Sequence, residues 1–212
     1  MRFLCISDIH GHRAALQSVL EDAADRAFDQ LVVAGDLLFP GPDPLGTWHL
    51  LLEHHALCVQ GLSDRALATL HPDTLHALTE VEKHRLARMK EVYTSVGELI
   101  VKHLGRLPET ARLPLESGQE MVVVHGAPAD PTESMSADMT DEELNALLGD
   151  DPADLVICGG SHVPFDRQIG DTRIVNVGSV GESPSGTHAD ATLIATSPFG
   201  FSVHQFQVAL SP

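Results

Sequence analysis

The residues of this chain that can bind metal or move protons gather in five short motifs. These are Asp8-Ile9-His10-Gly11, Gly35-Asp36, Gly61-Leu62-Ser63-Asp64, His125-Gly126-Ala127-Pro128 and Gly159-Gly160-Ser161-His162. Carboxylate oxygen and imidazole nitrogen together suit manganese, iron or zinc. Glycine in each of the five motifs lets backbone approach a metal or a phosphate closely. Taken singly, each motif has a plainer reading. Gly-Asp after a strand is a turn, Asp-x-His is a cap with a polar neighbour, and His125 and His162 are core or rim histidines. Their joint placement argues otherwise, because every motif directly follows an apolar segment.

Those segments are the elements that must position the motifs. Apolar, β-branched-rich stretches bounded by Gly, Asp or Pro at 2–7, 31–34, 57–60, 120–124, 155–158, 173–177, 191–196 and 201–208 read as strands. Leu16, Val19, Leu20, Ala23 and Ala24 form a helical stripe, so 13–27 is expected to be an amphipathic helix. The N-terminal half is then β-α-β-α-β, which favours parallel pairing and a layered α/β fold. Ligand sites in such sheets lie outside the carboxyl ends of the strands. The five loops are therefore expected to converge on one crevice. The leucine-rich stretch 65–104 reads as a helical insertion or outer layer, and Thr140 with Glu143 as a capping box for a helix through Leu148, with Gly149 at C′. From 173 onward the short strands suggest a second sheet packed on the first.

Composition narrows the partners. With 13 basic and 30 acidic residues the net charge is -17, which opposes stable binding to a nucleic-acid polymer or an anionic membrane. A metal cation could still draw in a single phosphate group. The N-terminal apolar run is too short for a signal peptide or a membrane span, so a cytoplasmic location is expected. Cys5, Cys58 and Cys158 lie in apolar stretches and read as buried reduced thiols. Oligomeric state is not legible in the sequence.

The ordered set Asp8-x-His10-Gly11, Gly35-Asp36, Gly61-x-x-Asp64, His125-Gly126-x-Pro128 and Gly159-x-x-His162 resembles the calcineurin-like metallophosphoesterase superfamily. Gly41-Pro42-Asp43-Pro44 and Asn176-Val177-Gly178-Ser179-Val180-Gly181 are similar to its small bacterial phosphodiesterase branch. The resemblance runs from residue 1 to about 208. It implies one domain over 1–212 with an α/β fold, a four-layer α-β-β-α sandwich of two mixed sheets. It also implies divalent metal ions, manganese before iron or zinc. A first metal would take Asp8, His10, Asp36 as the bridge, and His162. A second would take Asp36, His125, and an asparagine and a histidine at positions that here carry Leu62 and Gly160. The family's proton-donating histidine is replaced by Ser63. The departures fall on one metal, so one strong site and a weak or absent second site are expected.

The resemblance implies a metal-dependent phosphoesterase, in the first instance a phosphodiesterase on a small soluble phosphorylated substrate such as a nucleotide. The alternative is a weakened or inactive relative that binds a metal or a phosphorylated ligand. A protein serine/threonine phosphatase fits the short chain less well. Ser63 could hydrogen-bond a phosphoryl oxygen, and His12 could replace the lost acid or a ligand, although a packing or exposed histidine is the reading the sequence favours. His49, His54 and His55 read more strongly as packing or surface residues. Arg65 is a candidate phosphate clamp, with a surface helix position as the equal alternative.

Overall fold

The computed structural model describes residues 1–150 and 153–210. Two five-stranded mixed sheets form its centre. In the first, β1 (Arg2–Ile6), β2 (Gln30–Val33) and β3 (Leu57–Cys58) run parallel, and β9 (His188–Ser197) and β10 (Gly200–Ala209) extend it antiparallel beyond β1. In the second, the order is β4 (Thr110–Pro114), β5 (Glu120–Val124), β6 (Leu155–Cys158), β8 (Thr172–Asn176) and β7 (Phe165–Ile169), with β5, β6 and β8 parallel. The α/β sandwich of two mixed sheets is therefore as expected.

Side chains alternate across a strand with period two, and β1 shows what this does to the layers. Leu4 and Ile6 enter the core under the helices, beside Leu16, Val19 and Leu31. Phe3 and Cys5 enter the core between the sheets, beside Val32, Met121, Val123, Ile157 and Val175. A third core lies on the far face of the second sheet, where Val122, Val124, Val156 and Ile174 meet Leu144 and Leu148 of α5 (Asp141–Leu148). A one-residue slip of β1 would exchange both faces, so register is strongly specified.

Helix α1 (Arg13–Ala24) buries Ala15, Leu16, Val19, Leu20 and Ala23, and the chain leaves the helical region at Ala27, with φ 51°. This stops the helix short of the expected 27. Helix α2 (Pro44–Glu53) starts on Asp43, whose carboxylate accepts from Gly46 N. The stretch 65–104 comprises α3 (Leu62–Thr69), a 3-10 turn (Pro72–Thr74) and α4 (Glu80–Leu104), the last interrupted at Gly97, with φ 74°. The Thr140–Glu143 capping box is present, Glu143 N donating to Thr140 Oγ1 at 3.2 Å and Thr140 N to Glu143 Oε2 at 2.8 Å. Cys5, Cys58 and Cys158 are free thiols, with Cys5 and Cys158 buried. Among the described residues no helix is long and apolar enough to cross a membrane.

Two expectations are corrected. Only β8 of the C-terminal strands belongs to the second sheet; β9 and β10 return to the first, where β9 pairs with β1. The second sheet is instead built mainly from 110–176 and contains β4 and β7, which the apolar pattern did not reveal. Both are edge strands, and β7 carries Asp166, Arg167 and Gln168 at its centre. An edge strand needs only part of its surface buried, so it can be polar.

Candidate metal centre

All five motifs meet at one end of the sandwich, at the carboxyl ends of β1, β2, β3, β5 and β6. The backbone there is unusual. Asp8, His10, Asp36 and His162 have φ of 53°, 50°, 55° and 59°, a left-handed conformation that costs a non-glycine residue roughly 1–2 kcal/mol. Such strain persists where the surroundings impose it. His10 N donates to Asp36 O at 2.9 Å and Asp8 N to Gly35 O at 3.1 Å, which joins the two loops. Gly181 N and Ser179 Oγ both donate to Asp8 O, at 3.0 and 2.9 Å. Asn176, fully buried, donates from Nδ2 to Gly159 O at 2.8 Å and to Ser161 Oγ at 3.0 Å, fixing the loop that carries His162.

The side chains converge on shared space. His10 Nε2 lies 3.2 Å from His162 Nε2, 3.6 Å from Asp8 Oδ1 and 3.8 Å from Asp36 Oδ2. His162 Nε2 lies 3.1 Å from Asp8 Oδ1, and His125 Nε2 lies 3.5 Å from Asp36 Oδ2. The outer nitrogens hold the rings in place: His10 Nδ1 donates to Phe39 O at 2.5 Å and His125 Nδ1 to Ala34 O at 2.8 Å. With Nδ1 donating outward, Nε2 is the atom offered to a metal. The carboxylates are also part-committed, since Gly160 N donates to Asp8 Oδ2 at 2.9 Å and Ser63 N to Asp36 Oδ1 at 2.8 Å. Asp8 Oδ1 is buried without a hydrogen bond.

This donor set fits a divalent cation. An unpartnered buried carboxylate oxygen is costly, and two ring nitrogens that face each other cannot both carry a proton on the facing atom. A cation between them answers both problems. Two groups of three donors satisfy the spacing, Asp8 with His10 and His162, and Asp8 with Asp36 and His125, every ligand atom within 4.8 Å of the others in its group. Asp8 is common to both. The resemblance gives the bridging place to Asp36, whose Oδ2 indeed stands between His10 and His125.

Electrostatics follow from the crowding. Burial would raise the Asp8 carboxyl, but the close His10, His162 and His125 rings hold it well below the usual carboxylate range. Burial would lower His10, yet Asp8 and Asp36 outweigh it and push it up to about 9. His162 is raised chiefly by the Asp8 carboxylate beside it. Asp64 does not face the donors. It accepts from Asp36 N at 2.9 Å, Gly61 N at 3.0 Å and Leu37 N at 3.0 Å, fully buried, while burial and the Asp36 charge push it up to about 6. It is the clasp between two of the loops. Asp64→Ala would strand three N–H groups, each costing ~1–3 kcal/mol when buried and unpaired, so urea unfolding should show a loss of about 3 kcal/mol or more. A loss under about 1 kcal/mol would contradict this role.

The remaining candidates separate clearly. Ser63 lines the crevice and its buried hydroxyl has no partner. His12 is half-buried against Gly181, outside the cavity wall, and burial pulls its pKa down. Arg65 is exposed, does not line the cavity and is paired with Glu109 at 3.5 Å. His49, His54 and His55 do not line the cavity either. The sequence reading missed Glu182, whose Oε2 lies 3.7 Å from His10 Nε2 and 4.0 Å from His162 Nδ1. Its only signal was its place immediately after the Asn176–Gly181 segment.

A family model for the calcineurin-like phosphoesterase superfamily domain matches residues 1–197. An uncharacterised protein of Methanocaldococcus jannaschii is 26% identical over 162 residues, 76% of this chain and 62% of that protein, so this chain spans less than two thirds of its relative. Among solved structures, a hypothetical protein of Pyrococcus horikoshii OT3 superposes with a TM-score of 0.81 at 18% identity, covering 99% of this chain and 88% of that one. A metallophosphoesterase of Sphaerobacter thermophilus gives 0.77 at 22% identity, covering 98% and 89%. With the fold shared by these structures and the family model matched over residues 1–197, this chain belongs to the calcineurin-like phosphoesterase superfamily.

Proposed function

We propose that the protein is a metal-dependent phosphoesterase, in the first instance a phosphodiesterase acting on a small soluble substrate. The observation that carries this reading is the convergence of Asp8, His10, Asp36, His125 and His162 on one crevice, with Asp8 Oδ1 left unpaired. Manganese suits these mixed oxygen and imidazole donors, with iron or zinc as alternatives. Asp8, His10, Asp36 and His162 would hold the tight ion, and His125 with the two carboxylates a weaker one. When bound, the metal supplies Lewis-acid polarisation of a phosphoryl oxygen.

The chain's own residues set the limits of the reaction. Ser63 Oγ can donate a hydrogen bond to a phosphoryl oxygen but cannot serve as an acid near neutral pH, so a contribution of ~10²–10⁴-fold from general acid catalysis is lost. Leu62, 43% exposed, offers no donor to the crevice, and Gly160 contributes only its backbone N–H, already bonded to Asp8. These three positions also support the second reading, a module that binds a metal or a phosphorylated ligand without efficient turnover. The test is hydrolysis of a chromogenic aryl phosphodiester with added manganese. Slow turnover that disappears in Asp36→Ala is expected. No turnover with manganese, iron or zinc would leave the binding reading in place.

A further inference from the structure

The crevice is not a bare metal pocket. It opens into a cavity of about 1350 Å³, floored by His10, Asp36, His162 and Glu182 and roofed by α3, residues 75–77 and the start of α4. Drug-sized ligands occupy about 300–1,000 Å³, so this space exceeds what a phosphate group alone needs. Its walls carry Leu62, Leu67, Leu70, Leu75, Val81 and Met89. Three of these are exposed in the free protein, Leu62 at 43%, Leu70 at 44% and Val81 at 78%. Exposed apolar side chains gathered at the mouth of a polar site mark a binding surface.

The charges on the same walls narrow the occupant. Asp36, Glu80, Glu82 and Glu182 line the cavity, against Arg85 and Arg88; Glu80 is paired with Lys83 and Glu82 accepts from Leu78 N and Thr79 N, which leaves Asp36 and Glu182 as the open carboxylates at the donor end. Arg88 is already spent on the carbonyls of Pro40 and Gly41 and on Glu91. A chain of phosphates laid along these walls would meet carboxylates with one uncommitted guanidinium to offset them. A single phosphate at the donor end with an uncharged, apolar body in the chamber meets no such opposition.

Building on the phosphoesterase reading, we infer that the substrate is a monophosphate ester or diester of a bulky, uncharged, largely apolar alcohol, whose hydrocarbon chain or ring occupies the chamber between α3 and α4. Burial of several methylenes raises specificity several-fold per group. Two 4-nitrophenyl phosphodiesters, one with a methyl and one with an octyl second ester, share a leaving group and differ only in apolar bulk; a benzyl ester distinguishes ring from chain. With manganese, kcat/KM for the octyl or benzyl ester should exceed that for the methyl ester by about 10- to 100-fold. Leu70→Asp and Val81→Asp, both at exposed positions, should reduce that ratio to within about threefold, with circular dichroism confirming that each variant is folded.

Calorimetric binding of octylphosphonate and methylphosphonate to the manganese-loaded protein gives the second readout. Hydrolysis of all esters at similar kcat/KM overturns the inference and leaves the phosphoesterase reading intact. If no ester is hydrolysed but octylphosphonate binds about tenfold tighter than methylphosphonate, and the difference vanishes in both variants, the apolar chamber stands and the phosphoesterase reading falls. Equal binding of the two phosphonates overturns the inference on its own.

Discussion

Asp8→Ala is expected to lose both metals, and His162→Ala only the tight one. Asp8 belongs to both donor groups, and its Oδ1 is the buried oxygen that has no other partner. His162 belongs to one group, with its Nε2 3.1 Å from that oxygen. Losing an outer-shell partner typically costs 10–100-fold in metal affinity, so losing a direct ligand should cost at least ~100-fold. Metal content of protein purified without chelator, together with manganese titration, checks this. His125→Ala is the internal control: it should keep the tight ion and lose only the weak one. Unchanged metal content in both Asp8→Ala and His162→Ala would sink the assignment.

Restoring the family's pattern should raise activity more than any other change. Leu62→Asn and Ser63→His fall in the first turn of α3, at two positions that line the cavity. Ser63 uses its backbone N–H, not its hydroxyl, to bind Asp36, so that contact survives the exchange. Gly160→His is harder. Its φ is 76°, and a Cβ there would lie 2.5 Å from Ser134 Oγ and 3.5 Å from His125 Nε2. The serine hydroxyl can rotate away, and the direction toward His125 is the one a second-metal ligand requires. The conformation itself is affordable, since His162 adopts φ 59° in the same loop. The triple variant should bind a second manganese tightly and hydrolyse esters with poor leaving groups ~10²–10⁴-fold faster. If the unaltered protein already turns over such esters as fast, the site is not reduced.

The candidate ligands were legible because metal chemistry leaves a mark that packing does not: a polar donor, glycine beside it, and an apolar strand just before it. Asp8, His10, Asp36, His125 and His162 all lie in short motifs that carry that mark. Glu182 does not, because it reaches the donors from the loop that follows Asn176–Gly181, and nothing local announces the approach. Arg65 shows what adjacency in sequence leaves open. It is adjacent to Asp64 in sequence, but one helical residue is a turn of ~100°, and that carries it to solvent and Glu109. The capping box at Thr140 could be read directly, since it needs only residues three apart. The partner of β9 could not, since pairing with β1 is decided across nearly the whole chain.

That pairing has a consequence for how the protein is made. Strand β1 leads into the loop that bears Asp8 and His10 and is made well before its second neighbour, β9, which begins only at His188, and the segment 179–181 that holds the Asp8 backbone comes late as well. Contacts this remote in sequence carry a large loop-closure cost and tend to form slowly. The nascent N-terminal half can pair β1 with β2 and tie its ligand loop to the Asp36 loop, but leaves the other edge of β1 open and the Asp8 carbonyl without Ser179 and Gly181. The metal centre is therefore a late product of synthesis, and a chain cut short before residue 179 should capture no manganese however well its first half has folded.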